Sequence, residues 1–521
     1  MRTFHGEPDF ESVAALSEAL TIGRPFGSSE YIHQQVDAVF CRRLRLVSTV
    51  VNSAGNLADL LSEADGPTRR CLLGDPLVRA STQHALARIR TGISGGLPLP
   101  DCDLVFKEAT RHIQRGGNRS LMEGAGLSAG TMAAHHPGWM WNNERLDTPL
   151  SQLFGALIAR YFQDPPCTPE PGDLRVLQDA VALLDRISPV LAQSALSHAQ
   201  MVVLTPGTGC WRPVASCSLF ELPGVVFLAR SSLRSPWSVA EHLLHEALHQ
   251  KLYDIRHTHS VLIRDFETGS AAADGSSRVV SLWNTEDAPG SNRWGLTRSL
   301  AAYHVYVHLA VYASSAEATY DATMSNSAPS YEQLGRVGAV TAFRRAAYLG
   351  DELLDEYGDE LGPAGISLVE WLRQCQARTF PIPPRSQLRA TLALERYRRE
   401  MQRIEAIVSP DDPSTCPSPT PDAVSRFMEA ELDSTRSFFV QAVDRDAVRW
   451  SSADERTPTL ADVLELRRAV IPVLQRVIYD PVGAEHGSAC DRVTSMIGSR
   501  SAALAGLLSG LPDSPSEDPG R

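Results

Sequence analysis

The feature that most constrains this chain is a strongly helical segment, residues 238–255, which contains an HExxH sequence from His245 to His249. Two histidines four positions apart lie on one face of an α-helix, one turn from each other, so both imidazoles can reach one metal ion. Glu246 lies next to the first histidine and can serve as a base or as a partner of the ligands. The pattern therefore predicts a metal-binding helix. The alternative is a helix whose histidines are only surface or core residues.

The residues before this helix predict a small β-element. Residues 201–204 and 224–229 are short runs of apolar and β-branched residues bounded by Pro and Gly, and residues 216–222 could pair beside them. Ser238 followed by Glu241 has the spacing of a capping box, so we expect the helix to begin at Ser238.

Most of the remaining chain has apolar residues at helical spacing, and we expect a mainly α, multi-domain protein with a small β-element and the HExxH helix at its core. A prior of roughly 100–200 residues per domain gives about three domains. The predicted units are an N-terminal helical domain (1–163), a catalytic metal domain (164–408), a C-terminal helical region (422–511) and a disordered tail (512–521). The Pro- and Ser-rich residues before position 422 read as a linker.

Residues 135–141 carry two histidines and two tryptophans among Pro and Gly. Such a segment could line a pocket. Because no spacing ties it to the HExxH motif, the sequence favours a packed aromatic loop between helices.

Composition excludes several classes of function. A net charge of -12 argues against nucleic-acid binding, which normally uses a basic surface. No stretch approaches the roughly 20 apolar residues of a membrane span, and the acidic N-terminus is unlike a secretion signal. The nine cysteines are scattered without a CxxC pair, which fits reduced thiols. We expect a cytoplasmic protein with neither a nucleic-acid nor a membrane partner.

A metal site needs a third ligand, and the common extension HExxHxxGxxH is absent. The next strongly helical segment, residues 296–313, contains no acidic residue but carries His304 and His308 on one face. His304 is the preferred third ligand. His308 is the alternative ligand, or a side chain that contacts a ligand or the substrate. Either one could also be a histidine packed in the core.

At this point the chain resembles a known family, the HExxH-motif peptide-modification proteins of bacterial gene clusters for ribosomally made, modified peptides. They are also described as 2-oxoglutarate-dependent HExxH-type peptide β-hydroxylases. The resemblance rests on four stretches: ELPGVVFLAR (221–230), HLLHEALHQKLYDI (242–255), SLWN (281–284) and WGLTRSLAAYHVYVHLAVY (294–312).

The resemblance implies an Fe(II) site that uses 2-oxoglutarate and dioxygen to hydroxylate a β-carbon in a peptide, such as a leader-bearing precursor. Three protein ligands would leave positions for the 2-oxoacid and dioxygen. Arg298 or Arg293 would bind the distal carboxylate of 2-oxoglutarate, since guanidinium pairs with carboxylate bidentately. Alternatively, either of these two arginines could simply be exposed to solvent and bind no co-substrate. Tyr306 could donate a hydrogen bond at the site, and Glu246 could be a ligand or lie beside one.

Two other functions fit the same residues. In a zinc metallopeptidase, His245, His249 and His304 would bind zinc and Glu246 would activate water. In a non-catalytic peptide-binding scaffold, the motif would be the remnant of a metal site that has lost its function. The resemblance thus makes Fe(II) and 2-oxoglutarate the expected cofactors, and the metallopeptidase reading makes Zn the alternative.

Overall fold

The computed structural model describes residues 10–91, 97–133, 136–144, 147–162, 164–208, 215–263, 278–285, 292–323, 336–379, 382–408, 421–442, 459–479 and 486–498. Within these ranges the protein is mostly helical with a small mixed sheet, as the sequence predicts. The Gly- and Ser-rich residues 268–277, residues 409–420 of the expected linker and the expected disordered tail lie outside the described residues.

The N-terminal part is helical because apolar residues recur at helical spacing. In the second helix, for example, Ile32, Val36, Phe40 and Leu44 are buried on one face, and the hydroxyl of Ser28 accepts a hydrogen bond at its start. The helices are α1 (Phe10–Ile22), α2 (Ser29–Val47), α3 (Asn52–Glu63), α4 (Gly66–Leu73), α5 (Pro76–Thr91), α6 (Leu99–Gln114) and α7 (Leu121–Gly124).

The middle of the chain forms a five-stranded sheet with the order β1-β2-β3-β5-β4. β2, β3 and β5 run parallel, while the edge strands β1 and β4 are antiparallel to their neighbours. The elements are β1 (Ser128–Ala133), β2 (His136–Trp141), α8 (Pro149–Ile158), α9 (Pro171–Ile187), α10 (Pro189–Leu196), β3 (Met201–Thr205), β4 (Ser216–Ser218) and β5 (Val225–Ala229).

The three strands expected before the HExxH helix are confirmed as β3, β4 and β5. The expected aromatic loop at residues 135–141 is wrong, because residues 136–141 form strand β2. An inner strand is covered on both faces, so its residues do not alternate between apolar and polar, and Pro137 and Gly138 suggested a loop. The side chains of Trp139 and Trp141 are buried in the core.

The HExxH helix, α11 (Pro236–Thr258), follows β5 and a short 3-10 turn. It begins at Pro236 rather than at Ser238. Its N-cap is Ser235, which makes no side-chain cap bond. Proline at the first helical position fixes a helical φ and lacks an N–H that would need a partner, which explains the earlier start.

The rest of the described chain is again largely helical, as predicted. The elements are β6 (Val279–Val280), β7 (Arg293–Trp294), α12 (Leu296–Thr323), α13 (Ala339–Asp355), α14 (Pro363–Ala377), α15 (Arg385–Val408), α16 (Pro421–Ala442), α17 (Leu460–Tyr479) and α18 (His486–Gly498). None of the described helices is long and apolar enough to cross a membrane.

Among the described residues, buried side chains form two hydrophobic cores. The first runs from Val13 to Leu392 and so includes residues on both sides of the expected domain boundary at residue 163. The second runs from Ala390 to Ile497, and α15 contributes to both cores. The HExxH helix lies in the first core, between α2, α9, α10, α12 and the sheet.

One side chain joins α11 to the sheet directly. The Gln250 side-chain carbonyl accepts from the N–H of Gly224 at 2.7 Å, and its amide donates to the carbonyl of Val225 at 2.9 Å. Gly224 has a φ of 82°, a region that favours glycine. Gln250 therefore fixes the height of α11 relative to the start of β5.

We expect Gln250→Ala to lower the free energy of unfolding by about 2–3 kcal/mol, because it leaves two buried backbone groups without partners. Urea denaturation followed by circular dichroism measures this. Gln34→Ala, which removes an exposed amide that donates to Glu30, is the control and should change stability by less than about 0.5 kcal/mol. Equal effects of the two substitutions would show that Gln250 does not hold the helix.

Candidate metal centre

The two motif histidines converge. The Nε2 atoms of His245 and His249 are 3.1 Å apart. Two nitrogens that bind one ion at about 2.0–2.1 Å with a bond angle near 100° are separated by about that distance. The same distance also fits an N–H···N hydrogen bond between the two rings. The two imidazoles therefore lie together on one face of the helix, as their four-residue spacing predicts, at a separation that is compatible with a shared ion.

Burial keeps both rings in the neutral form that binds metal. It lowers the pKa of His245 to about 4. Burial also lowers the pKa of His249 well below its usual range, and the nearby charges of His245 and Arg298 lower it further. At neutral pH each ring therefore retains a lone pair for a cation.

Glu246 faces strand β4. Its Oε1 accepts a 2.7 Å hydrogen bond from the hydroxyl of Ser216, and its Oε2 has no hydrogen-bond partner among the described residues. Burial raises the pKa of Glu246 to about 7. Ser216 opposes this rise, as does Ser218, whose hydroxyl lies nearby without hydrogen-bond geometry. The carboxyl group is thus poised to hold or release a proton near neutrality.

His304 and His308 lie on α12, which packs against α11. Both rings are fully buried, and neither nitrogen of His304 has a hydrogen-bond partner among the described residues. Burial lowers the pKa of His304 well below its usual range, with smaller contributions from His308, Lys251 and His249. A buried ring without partners is costly, which is the condition expected of a ligand.

His308 has other neighbours. Its Nδ1 donates to the backbone carbonyl of His304 at 2.7 Å. Burial and the charge of Lys251 lower its pKa to about 3. Lys251 in turn donates to the carbonyls of Leu20 (3.3 Å) and Gly27 (2.6 Å). His308 is therefore close to the charge of Lys251, which also contributes to the lowered pKa of His304, and only the ring of His304 also responds to His249.

The described residues do not form a complete three-ligand site around the motif. No third donor atom of a His, Cys, Asp or Glu side chain among them lies within 4.8 Å of both motif histidines. His304 therefore has the right neighbour and free nitrogens, but it would have to approach His245 and His249 to bind the same ion.

The three predicted co-substrate residues lie in different places. Arg298 is half-buried, its charge contributes to the lowered pKa of His249, and its guanidinium carbon lies 4.4 Å from the centre of the Trp294 ring. Arg293 is exposed on β7. Tyr306 accepts a 3.1 Å hydrogen bond from Arg345. Because residues two apart on a helix point in nearly opposite directions, Tyr306 faces away from His304.

The described residues contain a second cluster of potential ligands that sequence reasoning missed. His33, His198 and Asp254 have donor atoms within 4.8 Å of one another, and all three are buried. His198 Nδ1 lies 2.6 Å from the Asp254 carboxylate, and its Nε2 lies 3.1 Å from the hydroxyl of Ser29. These residues come from three separate helices or turns, so no spacing in the sequence could have indicated them.

This second cluster already contains a cation. Arg79 forms a buried salt bridge with Asp254. Burial alone would raise the pKa of Asp254, but the charges of Arg79 and His198 outweigh it and hold the pKa below its usual range. A divalent ion added beside Arg79 would leave an uncompensated buried charge. We therefore interpret the cluster as a brace that joins α11 to α2 and α5.

We expect Asp254→Ala to lower the free energy of unfolding by about 3–5 kcal/mol, because it leaves the Arg79 guanidinium buried without a counter-charge. Glu30→Ala removes the exposed partner of Arg70 and should cost less than about 1 kcal/mol. Chemical denaturation of the chelator-treated protein measures both. A brace does not depend on metal, so a large loss of stability on chelation, abolished in His33→Ala, would contradict it.

The sequence was also compared with known proteins. It matches no model of a protein family, and no curated protein is similar enough to be taken as a relative.

Proposed function

We propose that this protein is an Fe(II)- and 2-oxoglutarate-dependent oxygenase that hydroxylates a β-carbon of a residue in a ribosomally made peptide. The observation that carries the proposal is the placement of Arg298, whose guanidinium group is stacked on Trp294 and whose charge contributes to the lowered pKa of His249. Arginine is suited to pairing with a carboxylate. A metal site with a fixed cation beside it suits a co-substrate that chelates the metal at one end and carries a carboxylate at the other.

The donor set fits iron. His245 and His249 present neutral nitrogens 3.1 Å apart, and His304 offers buried nitrogens without partners. Imidazole is a suitable ligand for Fe(II), and three protein ligands leave positions for a co-substrate. Acidic residues occur on α12 only in its last turns, where Glu317 accepts the backbone N–H of Ala339 at the start of α13.

Each group of residues at the site would have its own role. His245, His249 and His304 would hold the metal, and Arg298 would orient 2-oxoglutarate through its distal carboxylate. The buried surroundings would exclude water from the reacting groups. Glu246 would hold a proton at Oε2 beside the ligands, with Oε1 anchored by Ser216. Iron with 2-oxoglutarate and dioxygen supplies the oxidising chemistry.

Strand β4 supports a peptide substrate. It is an edge strand, with no further strand beside it in the described part of the sheet. The N–H of Ala229 donates to the carbonyl of Ala215, so the alternation of an antiparallel pair directs the backbone groups of Ser216 and Ser218 away from β5. An extended peptide could pair with that edge through the backbone groups of Ser216, since the carbonyl of Ser218 already accepts from the hydroxyl of Tyr253 at 3.4 Å. Ser216 contacts Glu246, which would bring such a peptide next to the metal centre.

One observation favours a zinc metallopeptidase as the second candidate. Glu246 has a pKa raised to about 7 and an oxygen without a partner, as a general base that activates a water molecule requires. The same docking edge would serve a peptide to be cleaved. The position of Arg298 is the feature that this alternative does not use.

We expect His304→Ala to weaken Fe(II) binding by more than about 100-fold, because even residues that only support ligands contribute 10–100-fold. His308→Ala, an equally buried histidine on the same helix, should change it by less than about tenfold. Anaerobic titration with Fe(II), or with Co(II) followed by absorbance, measures this, with thermal melting to verify folding. A loss confined to His308→Ala would assign the third ligand to His308 instead.

We expect Arg298→Ala to raise the dissociation constant for 2-oxoglutarate by about 10–100-fold while leaving metal affinity unchanged, because it removes a charged hydrogen-bond donor. Arg293→Ala removes an exposed arginine five residues earlier and should have no effect. Calorimetry with the Fe(II) protein under anaerobic conditions measures both. Equal affinities for all three proteins would exclude Arg298 as the carboxylate-binding residue.

A further inference from the structure

Trp294 is the side chain on which Arg298 rests. The indole lies on β7, four residues before Arg298, and is only 2% exposed. β7 pairs with β6, where Val279 is opposite Trp294. Trp283 packs edge-on against it, with ring centres 5.4 Å apart. The indole is therefore held in place by both the strand pairing and the packing of Trp283.

The contact between the two side chains is a cation–π interaction. The guanidinium carbon of Arg298 lies over the Trp294 ring, 4.4 Å from its centre. Stacking uses the face of the guanidinium group, whereas its N–H donors point outward in the plane of the group. The stack thus fixes the plane of the guanidinium group in which Arg298 can pair with a carboxylate.

Trp294 also has a donor of its own. Its Nε1–H is buried and has no hydrogen-bond partner among the described residues. A buried N–H without an acceptor is uncommon and costs free energy unless something else accepts it. Because Arg298 stacks on this ring, one carboxylate could accept from both the guanidinium group and the indole N–H.

We propose that Trp294 determines the specificity for a co-substrate with a distal carboxylate, by positioning Arg298 and by donating its Nε1–H to the same carboxylate. This inference rests on the proposed function. If it is correct, Trp294 and Arg298, at the start of α12, make the protein bind 2-oxoglutarate in preference to 2-oxoacids that lack a second carboxylate.

The test compares two ligands with the same 2-oxoacid head, 2-oxoglutarate and 2-oxobutyrate, in calorimetric titrations of the anaerobic Fe(II) protein. Trp294→Phe retains an aromatic face and removes the N–H. It should weaken binding of 2-oxoglutarate by about tenfold and leave that of 2-oxobutyrate unchanged. The control is Trp139→Phe on strand β2, which removes a buried N–H that also has no partner among the described residues, and it should change neither affinity.

A structural role for Trp294 would give a different pattern. If Trp294→Phe only loosened the local structure, it would weaken the binding of 2-oxoglutarate and of 2-oxobutyrate by the same factor. That result would overturn the inference. Arg298→Lys provides a second route, since lysine keeps the charge but loses the planar group that stacks. The effects of Arg298→Lys and Trp294→Phe should be non-additive if the two residues bind one carboxylate, and additive effects would contradict this.

The experiment also separates this inference from the proposed function. A wild-type protein that binds 2-oxoglutarate with Fe(II), together with an unchanged Trp294→Phe variant, would overturn the role of Trp294 alone. A wild-type protein that binds neither ligand would overturn both.

Discussion

The candidate site depends on the burial of helix α11. His245, Glu246 and the polar residues Gln250, Lys251 and Asp254 are buried, while His249 is half-buried. Each polar group that is removed from water needs a partner. Gln250 joins the helix to β5, Lys251 joins it to α1 and the turn that follows, and Asp254 joins it to α2 and α5 through Arg79 and His198. These contacts fix the rotation and height of the helix.

Because α11 is fixed in this way, the side chains of its HExxH motif have defined neighbours. His245 and His249 converge, and Glu246 is anchored to strand β4. The same burial that makes the helix rigid keeps the histidines neutral and raises the pKa of the carboxyl group. The cost of enclosing polar groups thus produces the protonation states that metal binding and proton transfer require.

Local patterns predicted a large part of this arrangement. The four-residue spacing of the motif histidines determined their common face, and the β-branched runs before the helix became strands. The opposite directions of His304 and Tyr306 also follow from helical geometry, so that signal was present in the sequence. Pro236 likewise marks the first turn of α11, although the sequence analysis placed the helix start at Ser238.

Other features could not be read from the sequence because they depend on tertiary packing. His198, Asp254 and Arg79 are far apart along the chain and meet only when α11 is packed against its neighbours. Strand β2 lies inside the sheet and lacks the alternation that identifies a half-exposed strand. Helical spacing gives the face of a residue but not its depth, so the different surroundings of His304 and His308 required the structure.

We propose that the motif serves oxygen chemistry rather than hydrolysis. The most direct test incubates the protein with Fe(II), 2-oxoglutarate, isotopically heavy dioxygen and the peptides encoded beside its gene, followed by mass spectrometry. We expect an intact peptide that has gained one heavy oxygen atom, with succinate formed in equal amount, and no reaction with His245→Ala. Peptide cleavage with zinc in the absence of dioxygen would contradict the account.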